Sequence, residues 1–113
     1  MTALRPISLP LHGAFELLLG LLALVAPFAL GFSLSGAVVS ILIGVCAVGL
    51  ALDATQTRRV TTHHAFDYGI ALAAVVVALP LAIAGDAAAS LALGALGLAQ
   101  LGLNASTRYS ARA

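Results

Sequence analysis

His12-Gly13-Ala14-Phe15-Glu16 returns 51 residues later as His63-His64-Ala65-Phe66-Asp67. In both stretches an aromatic and then an acid follow a histidine at the same spacing. Each stretch opens a long apolar run, and each run is followed by a second one. The pattern predicts two tandem copies of a helical hairpin, repeat one at about 12–58 and repeat two at about 63–108.

Hydrophobic residues make up 62% of the 113-residue chain and charged residues 8%. Soluble domains carry about a quarter charged residues. So few charges cannot cover a water-facing surface, so the apolar excess is expected to face lipid. The length fits four spans of roughly 20 residues with short connections, and residues 1–113 read as one transmembrane domain. In lipid each span must be helical, because only a helix satisfies its own backbone within one segment. The expected fold is an all-α membrane protein of four transmembrane helices, arranged as two hairpins in a parallel internal repeat. Two spans per copy bring both copies in from the same side, unlike the inverted repeats of many transporters.

The spans are expected at about 13–30, 36–55, 65–84 and 87–104. Pro6 and Pro10 discourage helix in the leading tail. Residues 31–35 and the pair Gly85-Asp86 read as tight turns, and residues 56–62 as the longest loop. Pro27 and Pro80 are expected to end or kink their spans. The first run has Arg5 before it, as a signal peptide would. Its opening pattern recurs deep in the chain, so it is read as a retained helix.

All five basic residues, Arg5, Arg58, Arg59, Arg108 and Arg112, fall on one side of this layout. The positive-inside rule then places both termini and the central loop in the cytoplasm. The expected location is a bacterial cytoplasmic (inner) membrane, crossed several times. No basic tract points to nucleic acid. The lone cysteine, Cys46, excludes internal disulfides and reads as a small buried hydrophobe.

Three acids gather at the cytoplasmic helix ends: Glu16, Asp53 and Asp67. An acid facing lipid is costly. Gly13, Glu16, Gly20, Ala23 and Pro27 share one helix face, a small-residue stripe that lets a neighbour approach. Asp67, Ala71, Ala74 and Ala78 make a similar stripe. Glu16 and Asp67 are therefore expected to face the bundle and to pair with Arg58 and Arg108, in a structural polar cluster that includes Asp53. A sharper alternative uses the four-residue spacing of His12–Glu16 and His63–Asp67. Two imidazoles and two carboxylates brought together could hold a divalent metal or relay protons. Ser40/Gly44 and Ser90/Gly94 read as packing seams between spans two and four, or between protomers.

No nucleophile elbow, P-loop, HExxH or dinucleotide fingerprint occurs. No enzyme activity and no cofactor are expected. The lipid bilayer is the expected partner, with a second copy or another membrane protein beside it.

The layout resembles the SPW-repeat family of small bacterial membrane proteins. These carry two copies of a two-span unit of roughly 50 residues, each marked by Ser-Pro-Trp near the end of its first helix. The corresponding places here read Ala26-Pro27-Phe28 and Leu79-Pro80-Leu81, so the proline is kept and its neighbours are changed. The resemblance implies fold and membrane location and no activity. Small multidrug exporters are also similar in length, span number and a glutamate in the first span. They differ in having weak arginine bias, aromatic-lined sites and no internal repeat. The expected function is a non-catalytic membrane protein with a structural or partner-interaction role. The alternative is a small proton- or metal-linked transporter using Glu16 and Asp67.

Overall fold

A computed structural model describes residues 5–53 and 60–108, the side chains of 60–63 excepted. Its described residues form four helices: α1 (Leu9–Leu30), α2 (Leu34–Asp53), α3 (Val60–Ile83) and α4 (Ala87–Ala105). All four are long and apolar enough to cross a membrane. The 22 residues of α1 span about 33 Å at 1.5 Å per residue, against a hydrocarbon core of about 30 Å.

α1 begins at Leu9, ahead of the expected start at Gly13. Pro10 does not obstruct it. In the first turn a missing N–H would have had no helical partner. Ser8 caps this end, its hydroxyl accepting from the Leu11 N–H at 3.4 Å. Pro27 and Pro80 also lie within their helices, which run on to Leu30 and Ile83. α1 stops at Gly31, whose φ of 67° is left-handed and suits glycine. α2 starts at Leu34, so the first turn is shorter than expected.

α1 packs mainly on α2 and α3 mainly on α4, and the two hairpins meet along α1–α4 and α2–α3. The interior is built from small side chains. Ala23, Ala47, Ala51, Ala71, Ala74 and Ala89 are buried, while Phe28, Leu34, Val76, Ile83 and Leu91 point outward. Cys46 is exposed, not buried, because it lies on the outer face of α2 rather than on its small-residue face.

Gly44 and Gly97 make their close approaches within each hairpin, whereas spans two and four come close at Gly36, where an added Cβ would lie 2.8 Å from the Ala89 Cβ. Gly44 sits against α1, where an added Cβ would come within 2.9 Å of the Gly20 carbonyl oxygen. Gly97 sits against α3, where a Cβ would meet the Ala71 carbonyl oxygen, also at 2.9 Å. A Cβ on Gly94 would only touch Ala78, at 3.6 Å. The tight glycine of α4 is therefore Gly97. Ser40 donates to the Ala23 carbonyl at 2.6 Å and Ser90 to the Ala78 carbonyl at 2.7 Å. In an apolar interior each hydroxyl takes the nearest carbonyl, which the antiparallel neighbour offers.

Polar groups join the hairpins at both ends. At the short-turn end, Asp86 Oδ2 accepts from the Ser33 N–H at 2.8 Å and the Ser33 hydroxyl at 2.5 Å. Its Oδ1 caps α4 through the Ala89 N–H at 3.0 Å. At the opposite end, Ile7 N–H donates to the Ser106 carbonyl at 3.0 Å and Arg108 N–H to the Ile7 carbonyl at 2.8 Å. The segments before α1 and after α4 thus run side by side.

Candidate functional site

Six polar side chains converge at this second end, each 5% exposed or less: His12, Glu16, Asp67, Gln100, Asn104 and Thr107. They come from α1, α3, α4 and the residues just after α4. Helical periodicity puts His12 and Glu16 on one face of α1, next to Gly13, Gly20 and Ala23. Small neighbours bring the other helices close enough to seal both polar groups.

His12 is the hub. Its Nε2 lies 2.8 Å from Asp67 Oδ2 and 3.4 Å from Glu16 Oε1. Its Nδ1 lies 2.8 Å from the Thr107 hydroxyl oxygen. That hydroxyl gives its one proton to the Leu103 carbonyl at 2.6 Å. Thr107 can therefore only accept from His12, so Nδ1 carries a hydrogen. Nε2, the other ring nitrogen, faces both carboxylates.

Glu16 is held from its far side. Gln100 Nε2 donates to Glu16 Oε2 at 3.0 Å and to Asn104 Oδ1 at 2.9 Å, using both amide hydrogens. This turns Glu16 Oε1 toward the imidazole. A carboxylate oxygen from Glu16, one from Asp67 and a ring nitrogen of His12 all lie within 4.8 Å of one another. A cavity of about 20 Å³ adjoins the cluster toward the bundle centre, with Gln100, Ala71, Ala74, Ala23 and Ala47 in its wall.

Of the expected arginine pairing, the Arg108 half is not made. Arg108 makes no ion pair with Glu16 or Asp67 among the described residues; its backbone joins Ile7 instead. Its place beyond α4 commits its backbone to the Ile7 strand-like pairing. Glu16 and Asp67 take histidine and amide partners from within the bundle. Arg58 lies outside the described residues. Asp53 is exposed at the end of α2. His63 belongs to α3, but its side chain lies outside the described ones. His64 is half-buried and packs edge-to-face on Tyr68, with ring centroids 5.0 Å apart.

Gln100, Asn104 and Thr107 were not singled out from the sequence. A signal existed for two of them. Gln100 and Asn104 are amides four residues apart in an otherwise apolar run, a spacing that marks one inward face.

Fold and site together define a four-helix bundle with membrane-length apolar helices and a buried histidine–carboxylate node at one end. No family model, curated protein or solved structure matches the chain.

Proposed function

We propose that this is a non-catalytic, multi-pass membrane protein whose buried node locks its two hairpins together, leaving the outer faces for lipid and a membrane partner. One observation carries it: the His12 ring joins Asp67 of α3 at 2.8 Å with both side chains fully buried. Glu16 is tied in the same way to Gln100 of α4. Small residues inside and large apolar ones outside invert the usual soluble arrangement and suit a lipid surround.

The tandem repeat is part of this reading. Buried Gly36, Ser40, Gly44, Ala47 and Ala51 of α2 have the same spacing as Ala89, Leu93, Gly97, Gln100 and Asn104 of α4. Glu16, Gly20 and Ala23 of α1 match Asp67, Ala71 and Ala74 of α3. This register pairs Gly44 with Gly97 and Ser40 with Leu93, a shift from the Ser40/Ser90 match. The likeness to the SPW-repeat family and a bacterial inner-membrane location belong to the same proposal.

Both termini are placed in the cytoplasm on arginine distribution. Cysteine at Ser35, in a Cys46→Ala background, should react with an impermeant thiol reagent from outside the cell, and cysteine at Thr61 should not. The reverse pattern refutes the orientation. For the lock, Glu16→Gln should lower the thermal midpoint in detergent while reconstituted vesicles stay proton-tight.

A second reading, proton- or metal-linked transport through Glu16 and Asp67, is favoured by the small cavity that continues from Gln100 toward the bundle centre. A proton-driven flux that Glu16→Gln abolishes without loss of stability would put transport in place of the lock.

A further inference from the structure

We propose that the node is a binding site for one divalent transition-metal ion of the zinc class, ligated by His12 Nε2, a Glu16 oxygen and an Asp67 oxygen. This rests on the node as the lock between hairpins and supplies what fastens it. Three features carry the inference.

The first is the orientation of the imidazole. Thr107 gives its proton to Leu103 and accepts from Nδ1. In a neutral ring the Nε2 lone pair therefore points at two carboxylates, 2.8 and 3.4 Å away. Lone pairs so placed repel unless a proton or a metal ion stands between them. Zinc sites commonly have this arrangement, the ligating histidine donating its other N–H to a fixed acceptor.

The second is the orientation of Glu16. Gln100 holds Oε2, and Oε1 is left to face Nε2. Ligating carboxylates are steered by such outer partners. The Gln100 amide is in turn fixed by Asn104.

The third is charge and size. Two carboxylates and an imidazole meet in a fully buried place. A divalent ion matches the two formal charges of the carboxylates. Tetrahedral bonds of about 2.0 Å put ligand atoms about 3.3 Å apart. The 3.4 Å edge fits already, and the 2.8 Å edge must widen by roughly 0.5 Å. A nitrogen and two carboxylate oxygens favour zinc-like ions over calcium or magnesium, which take all-oxygen sets. Because His12 and Glu16 lie on α1 and Asp67 on α3, the ion would bridge the hairpins.

The test uses the full chain in detergent, freed of any affinity tag, stripped with chelator and dialysed against Zn²⁺. The expected result is one zinc per chain by elemental analysis. Glu16→Gln and Asp67→Asn should each weaken binding by at least about tenfold, and Thr107→Val by about ten- to a hundredfold. His64→Ala, which leaves the three ligands untouched, should retain the zinc. Should the acid variants fail to fold, Co²⁺ loaded into the wild-type chain provides the second measurement. Intense visible bands of a four-coordinate Co²⁺ centre support the site, and the weak spectrum of hydrated Co²⁺ overturns it. Absence of stoichiometric zinc in the wild type also overturns it, as does full retention in Glu16→Gln and Asp67→Asn. Thermal midpoints separate the two ideas. A chain that loses stability in Glu16→Gln yet never binds zinc keeps the lock and refutes the metal. A chain that binds zinc with no change in midpoint keeps the metal and refutes the lock.

Discussion

The hydroxyl of Ser40 donates to the carbonyl of Ala23, four residues before Pro27. In an unbroken helix the N–H of residue 27 would serve that carbonyl, and proline has none. Ser40, fully buried on α2, supplies the missing donor from the neighbouring helix. The carbonyl that Pro27 leaves without a helical donor is thereby satisfied within a helix that runs on to Leu30.

Ser40→Ala should therefore leave the Ala23 carbonyl unsatisfied and cost about 1–3 kcal/mol. Ser90→Ala should cost less. Ser90 bonds Ala78, only two residues before Pro80, whose carbonyl faces the helical N–H of Ala82. Thermal unfolding of both variants in detergent checks the order, and equal losses would show that the proline is irrelevant.

Gly97→Ala should destabilise by about 1–3 kcal/mol through overpacking. The new methyl meets backbone of α3 at 2.9 Å, and backbone cannot rotate away. Gly94→Ala has ordinary contact distance to Ala78 and should stay within about 0.5 kcal/mol of wild type. A larger loss at Gly94 would mean that α3 and α4 pack in the other register.

Asp86 links the two short turns, and hydrogen bonds from Ser33 and from the Ala89 N–H hold its carboxyl below the ordinary carboxylate value. A lowered folded value means that the stabilisation is complete above the ordinary value. It is lost as pH falls through the lowered one. Asp86→Asn should lower the thermal midpoint near neutrality. The gap from wild type should narrow as pH is taken down through and below the ordinary carboxylate range. A gap that stays constant across that range would assign the effect to shape rather than to charge.

Gln100→Leu removes the donor to Glu16 Oε2 and to Asn104 Oδ1 within a buried cluster. The expected loss is about 1–3 kcal/mol. Gln100→Glu should be worse, since it sets a carboxylate against Glu16. Unfolding midpoints of the two variants test this, and the reverse order would mean that Glu16 is not held by Gln100.

The helices and their inward faces could be read from local pattern. Gly13, Glu16, Gly20, Ala23 and Pro27 follow helical spacing, and all five are buried in α1. The four-residue spacing of His12 and Glu16 also points to their contact, but the partners that reach them from α4 and beyond could not be read this way. Arginine was the expected counter-ion because it is the charge nearest each helix end along the chain. The groups that meet Glu16 and His12 stand 84 and 95 residues away, brought in by the packing of α4 on α1. Local periodicity carries no information on that distance. The seam glycine shifted for a related reason. Ser90 and Gly94 imitate Ser40 and Gly44 in letters, but the turn lengths place Gly97 at the point of closest approach.

The link from His12 to Thr107 also has a consequence in time. Ribosomes make α1 first, and the residue that fixes its histidine ring is made 95 residues later. Under the membrane reading proposed above, with spans inserted in order of synthesis, the first hairpin would enter the bilayer while His12 and Glu16 still lack Asp67, Gln100 and Thr107. Assembly would be complete only when the last helix arrives and the trailing segment closes on Ile7. A nascent chain halted after α2 should be a target for membrane quality control, however apolar its two spans are.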